Sequence, residues 1–393
     1  MTTIDPVSFY RERRLPPYVF AETNRLKAEQ RKAGIDVIDF GMGNPDLPPA
    51  DHIIEKLKEV ASDPRAHRYS ASAGIPALRK ALTRYYARRF DVALDADNEV
   101  CVTLGSKEGL ANLAQAITAP GDVILAPDPS YPIHMFGFII AGAAVRPVSF
   151  ETPEQFLADV AHACKHSIPA PSALVINFPS NPTAQIVDIE FYRDAVALAK
   201  ANNLILISDL AYSEIYFDGP PPPSILQVEG ARDVAVEFTS VSKTYSMPGW
   251  RIGFAAGSQR LISALKRVKS YLDYGAFTPI QVAAIAALDG PQDNVEHLRH
   301  VYRSRRDVLV ESFGRSGFDI PSPAATMFAW APIPTKFEQL GSVGFSNLLL
   351  EKTGVAVAPG LGFGERGDGH IRLALVENEQ RIRQAARALK GFF

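Results

Sequence analysis

Residues 173–183, ALVINFPSNPT, residues 204–212, LILISDLAY, and residues 235–243, AVEFTSVSK, share one pattern: a short apolar run that breaks abruptly into polar residues. Runs this short and this apolar read as strands covered on both faces. Working outward, Val100–Leu104 before GSKEG and Val123–Ala126 before PDPSYP repeat the pattern, and helical patterns lie between the runs. This alternation is the signature of an α/β fold with a mostly parallel sheet. Ligands of such sheets bind beyond the carboxyl ends of the strands. Ser106, Tyr131, Asn181, Asp209, Tyr212 and Lys243 all follow strands, so they are expected to converge on one crevice.

The C-terminal third reads differently. Residues 292–314 form one long charged helical pattern, 355–358 and 370–375 read as strands, and 377–390 as a closing helix. These imply a smaller α+β domain. GMGNPDLPP, residues 41–49, reads as a crossing linker, so the expected division is a large domain over 48–288 and a small one built from 1–47 and 289–393. The 393 residues carry 41 Lys+Arg and 43 Asp+Glu, a net charge of −2. That balance argues against nucleic acid as a partner. An apolar fraction of 47% and a charged fraction of 21% are those of a globular protein. Two cysteines, Cys101 and Cys164, make neither a disulfide framework nor a structural zinc site. No apolar run approaches the ~20 residues that span a bilayer, and MTTIDPVSFYRERR lacks a secretory core. The expectation is a soluble, cytoplasmic protein with no membrane partner and no metal.

Lys243 follows a buried strand. Burial disfavours its charged form and makes the amine a usable nucleophile. By itself a surface lysine would be the simpler reading, but Ser240 and Ser242 supply hydroxyls and Arg251 a guanidinium suited to a bidentate anion contact. Together they read as an anchor for a phosphorylated carbonyl compound. Asp209 ends another buried strand. It is either a helix N-cap or the counter-ion of a protonated heterocyclic nitrogen. Tyr212 would share its face in a helical turn. Asn181 sits in an Asn-Pro turn. Ser106 and Lys107 open a helix whose backbone N–H groups make an anion site. Tyr131 either stacks on a planar ligand or fills core volume.

Together, S-x-S-K-x7-R-x-G at Ser240–Gly253, SNPT at Ser180–Thr183 and D-x-x-Y at Asp209–Tyr212 resemble the fold-type I, class I/II pyridoxal-phosphate aminotransferases. The resemblance runs from GMGNPD to HIRLALVEN. It implies a seven-stranded, mostly parallel sheet between helices and a smaller α+β domain. It also implies pyridoxal 5'-phosphate as cofactor, bound by Lys243 as an aldimine. Asp209 is then the partner of the ring nitrogen, Asn181 and Tyr212 of the ring hydroxyl, and Tyr131 stacks on the ring. Ser106, Lys107, Ser240, Ser242 and Arg251 hold the phosphate. Arg372 grips the substrate carboxylate, with Gly43 and Asn181 beside it. Tyr69 matches a tyrosine that reaches the phosphate of a neighbouring subunit, which implies a homodimer with shared sites; its simpler reading is a loop anchor. Asn181–Pro182 and Asp128–Pro129 match prolines in cis.

RLPPYVF, GSKEGLA, FPSNPTAQ, SKTYSMPGWRIGF and PGLGFG further resemble the bacterial AlaC-type glutamate–pyruvate (alanine) aminotransferases, a group similar in plan to LL-diaminopimelate aminotransferases. That implies exchange of the amino group between L-alanine and 2-oxoglutarate, with amino acids and 2-oxo acids as the small-molecule partners. Aspartate, aromatic or LL-diaminopimelate specificity is the alternative, and a C–S lyase a more distant one. Tyr18 is read as a lid residue over the substrate side chain, or else as a pin for the N-terminal arm. Three further signals are discounted. Gly362, Gly364 and Gly367 match G-x-G-x-x-G but run into a strand, so the dinucleotide fingerprint lacks its helix. His134 reads as a structural hydrogen-bonder, and Arg303, Arg305 and Arg306 as a solvated helix face.

Overall fold

The computed structural model describes residues 9, 11–17 and 19–393. The five expected strands are all present: β2 (Val100–Thr103), β3 (Val123–Asp128), β5 (Pro171–Asn177), β6 (Ile205–Asp209) and β7 (Ala235–Ser240). With β4 (Ala144–Ser149) and β8 (Gly253–Gly257) they form a seven-stranded sheet in the order β2-β8-β7-β6-β5-β3-β4. Pairing is parallel from β7 to β4, and β8 runs antiparallel to both β2 and β7.

Side chains alternate across the sheet, as period-2 pleating requires. Along β5, Leu174 and Ile176 enter one core while Ala173 and Val175 enter the core on the other face. Leu206 and Ile207 divide in the same way on β6. Helices cover both faces, which is why these strands read as continuous apolar runs. β4 and β8 lack such runs. β4 is an edge strand with Pro147 in it and most of its residues not buried. β8 is GFAAG, composed mainly of small residues with weak strand preference.

A second core surrounds a three-stranded antiparallel sheet, β11 (Ala358–Pro359), β12 (His370–Ala374) and β9 (Phe328–Pro332). Phe313 from the helix Asp293–Gly314, Phe345, Leu373 and Leu389 fill it. β1 (Ile38–Asp39) pairs in parallel with β10 (Val355–Ala356), and Tyr212, Ile215 and Phe217 enter the same core from the chain after β6.

One sequence expectation is overturned here. Arg305 and Arg306 are only 4% and 6% exposed, so they do not form a solvated face. Arg305 holds both carboxylate oxygens of Asp46, at 2.7 and 2.8 Å, and donates to the Leu375 carbonyl. Arg306 bonds Asp218, whereas Arg303 is exposed, as expected of it, while donating to the Phe217 carbonyl. A helical arginine can bury its stem while its head finds a partner, and nothing in the local charge pattern reveals those distant partners.

Asp128–Pro129 and Asn181–Pro182 are cis, as are Ile168–Pro169 and Phe178–Pro179. Cys101 is fully buried, and burial pushes its thiol up to about 12. Among the described residues, no helix is long and apolar enough to cross a membrane and no three side chains are grouped to hold a metal.

Candidate active site

The carboxyl ends of β3, β5, β6 and β7, the linker after β1 and strand β12 surround a cavity of about 370 Å3, a size suited to a small organic ligand. Ser106, Lys107, Tyr131, Asn181, Asp209, Tyr212, Ser240, Ser242, Lys243, Arg251, Gly43 and Arg372 all line it. The structure thus brings twelve of the fourteen expected site residues together.

Lys243 follows β7 in a single helical turn, Val241–Thr244. Its Nζ donates to the Gly43 carbonyl at 2.9 Å. Burial, followed by the charges of Arg372 and Arg251, lowers the ammonium from 10.5 to about 8. Arg372, on β12, donates Nη1 to Asn181 Oδ1 at 2.8 Å and Nη2 to the Gly41 carbonyl at 3.2 Å. Its guanidinium lies 4.0 Å from the Phe328 ring and 4.5 Å from that of Phe363, sandwiched by cation–π contacts. Burial lowers it to about 10, so it stays charged at neutral pH. Gly43 is required by its neighbours, since a Cβ there would lie 2.5 Å from the Phe328 ring.

Asp209 ends β6. Its Oδ2 accepts from His134 Nε2 at 2.9 Å, and Ser130 meets His134 Nδ1 at 2.7 Å. Burial of Tyr212 raises its hydroxyl well above the usual tyrosine range, so that group stays protonated and can donate. The other end of the cavity is an anion cradle. Ser240 Oγ accepts from the Ser242 amide at 3.0 Å and donates to the Ser242 hydroxyl at 2.8 Å. The helix Ser106–Ile117 opens beside them with its N-terminal amides. Arg251 donates to the Pro248 and Leu104 carbonyls. Gly105, at φ +85°, lets it approach, because a Cβ there would stand 2.1 Å from Arg251 Nη2.

Two buried atoms here have no protein partner among the described residues: Asp209 Oδ1 and Arg372 Nε. Leaving such groups unpaired is costly, so both point to a ligand. Five cations line the cavity, Lys27, Lys107, Lys243, Arg251 and Arg372, against one carboxylate, Asp209. That set fits a ligand carrying a phosphate, a carboxylate partner and a protonated ring nitrogen. An amine near neutrality stands ready for an aldehyde. The residues fit pyridoxal phosphate.

Two expected residues stand apart. Tyr18 lies outside the described residues. Tyr69 does not line this cavity; it is 87% exposed, with its ring 4.7 Å from that of Tyr274. His134 is the hydrogen-bonder expected of it, and its partner is Asp209. The glycine-rich segment 362–367 folds as two 3-10 turns leading into β12, not as a strand–helix junction. Sequence reasoning missed Asn177, Gly41, Phe328 and Phe363. A polar Asn closing an apolar strand was the one available signal for Asn177. The others come from segments whose proximity only the second sheet creates.

An open α/β sheet with this lysine and aspartate at its carboxyl edge defines a fold-type I pyridoxal-phosphate enzyme. The chain matches the family "Aminotransferase class I and II" over residues 35–389. It is 64% identical to AatC of Rhizobium meliloti over 98% of its length and 95% of the relative's. It is 51% identical to the glutamate-pyruvate aminotransferase AlaC of Escherichia coli, over 98% of this chain and 93% of that one. An LL-diaminopimelate aminotransferase of Desulforudis audaxviator is 44% identical over 97% and 96% of the two chains. Among solved structures, substrate-bound BacF of Bacillus subtilis superposes with a TM-score of 0.90 at 34% identity, covering 96% of this chain and 95% of that one. The protein belongs to the class I and II aminotransferases. It is a pyridoxal 5'-phosphate-dependent enzyme that moves an amino group between an amino acid and a 2-oxo acid.

Proposed function

We propose that the enzyme exchanges the amino group between L-alanine and 2-oxoglutarate, giving pyruvate and L-glutamate by a ping-pong cycle at Lys243. One observation carries the assignment of roles. Lys243 and Arg372 are held by neighbouring carbonyls of a single linker, Gly43 at 2.9 Å and Gly41 at 3.2 Å, with Asn181 bonded to Arg372. A carboxylate taken by Arg372 sets its α-carbon toward the amine. Pyridoxal phosphate, when bound, supplies the electron sink for the charge left at that carbon.

In this reading Lys243 would hold the cofactor's aldehyde, and its amine would serve as the base for the Cα proton. A base near the working pH does this best. Asp209, oriented by His134, offers Oδ1 to the ring nitrogen. Asn181 and Tyr212 would hold the ring hydroxyl, and Tyr131 would stack on the ring. Ser106, Lys107, Ser240, Ser242 and Arg251 bind the phosphate. Gly43 leaves room beside the carboxylate. Residues 48–288 form the cofactor lobe, while the described part of 1–47 with 289–393 brings Arg372 to it. The active unit is a cytoplasmic homodimer in which Tyr69 serves the other subunit's phosphate. Its exposure in its own chain supports this.

The similarity to AlaC supports the alanine–glutamate pair. The similarity to LL-diaminopimelate aminotransferases supports the second reading. Few pocket contacts separate such substrates, and each is worth only a few kcal/mol. A panel of donors and acceptors compared by kcat/KM decides between them. The proposal stands if alanine with 2-oxoglutarate leads, and falls if LL-diaminopimelate or aspartate does.

A further inference from the structure

Asn177 is the last residue of β5, and its register partner Asp209 is the last residue of β6. The parallel ladder stops at this pair. The Asn177 side chain continues the pairing where the backbone no longer can. Its Nδ2 donates to the Asp209 carbonyl at 2.7 Å, and its Oδ1 accepts the Asn181 N–H at 2.9 Å. Both partners are main-chain groups, so Asn177 fixes where each loop departs from the sheet. An Asn serving only to cap the 178–182 turn would need the second bond and not the first.

The string continues in both directions. Asn181 passes it through Oδ1 to Arg372 Nη1 at 2.8 Å, and Asp209 through Oδ2 to His134 at 2.9 Å. Asn177, Asn181, Asp209, His134 and Arg372 are all buried. Hydrogen bonds in such surroundings are strengthened, and losing one is costly. Of the side-chain N and O atoms of these five residues, two are buried without a protein partner among the described residues, Arg372 Nε and Asp209 Oδ1.

We propose that Asn177 is a positioning residue. It is the joint that holds the carboxylate-gripping guanidinium and the carboxylate beneath the ring nitrogen in one fixed relation. This rests on the roles given above to Arg372 and Asp209. Without the joint, the loops after β5 and β6 shift independently. Both substrate grip and ring electronics then suffer together, although the bonds of Asn177 go to main-chain groups and not to the Arg372 guanidinium or the Asp209 carboxylate.

The test uses the purified holoenzyme, with Asn177→Ala and Asn177→Asp. For Asn177→Ala, KM for the amino acid and for the oxo acid rises and kcat/KM falls about tenfold to a hundredfold, as expected when a buried bonding group is removed. The pH midpoint of the bound-cofactor absorbance also moves. Asn177→Asp keeps the acceptor for Asn181 but sets an oxygen against the Asp209 carbonyl. Its KM values stay within about threefold of wild type while the absorbance midpoint still moves, since only one of the two bonds is lost. A lowered melting temperature with KM and absorbance midpoint unchanged in both variants would mean a merely structural side chain and would overturn the proposal. If Asn177→Ala fails to fold, the Asp variant alone decides, because an unmoved midpoint there rejects the joint. Borohydride reduction of the wild-type enzyme checks the parent reading separately. Absence of a cofactor adduct at Lys243 refutes that reading whatever the variants do.

Discussion

Lys243 is set apart from an ordinary lysine by its surroundings. Burial and two guanidinium groups lower its ammonium to about 8. The amine is neutral, and therefore nucleophilic, above that value. Uptake of pyridoxal phosphate by cofactor-free enzyme is expected to quicken from about pH 6.5 to about 8 and then level off, followed as absorbance growth in stopped flow. The same shift has a sign in stability. The unfolded chain binds the extra proton between about 8 and 10.5, so the cofactor-free protein gains stability as pH rises through that window. A Lys243→Met variant should lose that gain in denaturant titrations, and an unaltered profile would reject the lowered value. Asp209→Ala leaves His134 without its carboxylate. Cofactor should remain bound while the rate of Cα–H cleavage falls about 10²–10³-fold, the scale of a lost preorganised charge; a near-native single-turnover rate would show another partner for the ring nitrogen. These residues were legible because their types are unusual where they stand, a lysine or an aspartate closing an apolar strand. Phe328 and Phe363 were not, because an aromatic residue in an apolar stretch looks like core wherever it lies.

At the level of elements, β7 carries a feature hidden inside its apolar run. Glu237 is fully buried between the sheet and the helix Pro76–Phe90. It accepts from Tyr86 at 3.0 Å, Ser224 at 2.5 Å, Ser208 at 3.2 Å and the Ile225 amide at 3.1 Å. Those donors favour the carboxylate, yet burial dominates and pushes the group up to about 7. A carboxyl raised in the folded state contributes stability that is complete below about 4.5 and is lost as pH rises through about 7. Glu237→Gln should therefore flatten the fall in melting temperature over that interval, and parallel wild-type and variant curves would sink the idea. The helix Asp293–Gly314 gives a second case. Arg305 clamps Asp46 of the linker that presents Gly41 and Gly43. Arg305→Leu should cost about 2 kcal/mol in denaturant unfolding, since a paired charge is broken at a partly exposed site, and should raise KM through the displaced linker. Among elements, legibility followed runs of bulky apolar residues, since β8 is buried throughout and still went unread. Strands covered on both faces announced themselves, whereas the edge strand β4 and the small-residue strand β8 had no apolar run to show. The helix arginines looked solvated because a charge pattern does not reveal a partner as remote in the chain as Asp46 is from Arg305.

For the whole molecule, the question is what covers the exposed aromatic surface around Tyr69. Tyr69, Tyr271 and Tyr274 are 87%, 85% and 65% exposed, and Phe277 is exposed as well. Singly exposed aromatics need no explanation, but the rings of Tyr69 and Tyr274 lie against each other, and Phe277 meets His67 at 5.6 Å, so aromatic residues of the segments 67–69 and 274–277 meet at the surface. Patches of this kind mark protein contacts. In the proposed homodimer a second copy would cover this surface, because a two-fold interface repeats one surface on itself. The motif around Tyr69 was legible through its resemblance, whereas the exposure of its ring was not, since nothing in the local sequence separates an exposed tyrosine from a buried one. If Tyr69 completes the other subunit's phosphate site, two defective variants should repair each other. Lys243→Ala supplies a native Tyr69, and Tyr69→Phe supplies a native Lys243. In a mixed dimer one site then carries both defects and the other carries neither. After mild denaturation and refolding together, the mixture should contain sites that bind pyridoxal phosphate as tightly as wild type, seen as a slow phase in cofactor release that neither parent shows. If Tyr69 instead serves only its own chain, every site that retains Lys243 also retains the Tyr69→Phe defect, and release from the mixture should be the sum of the two parents, with no slower phase.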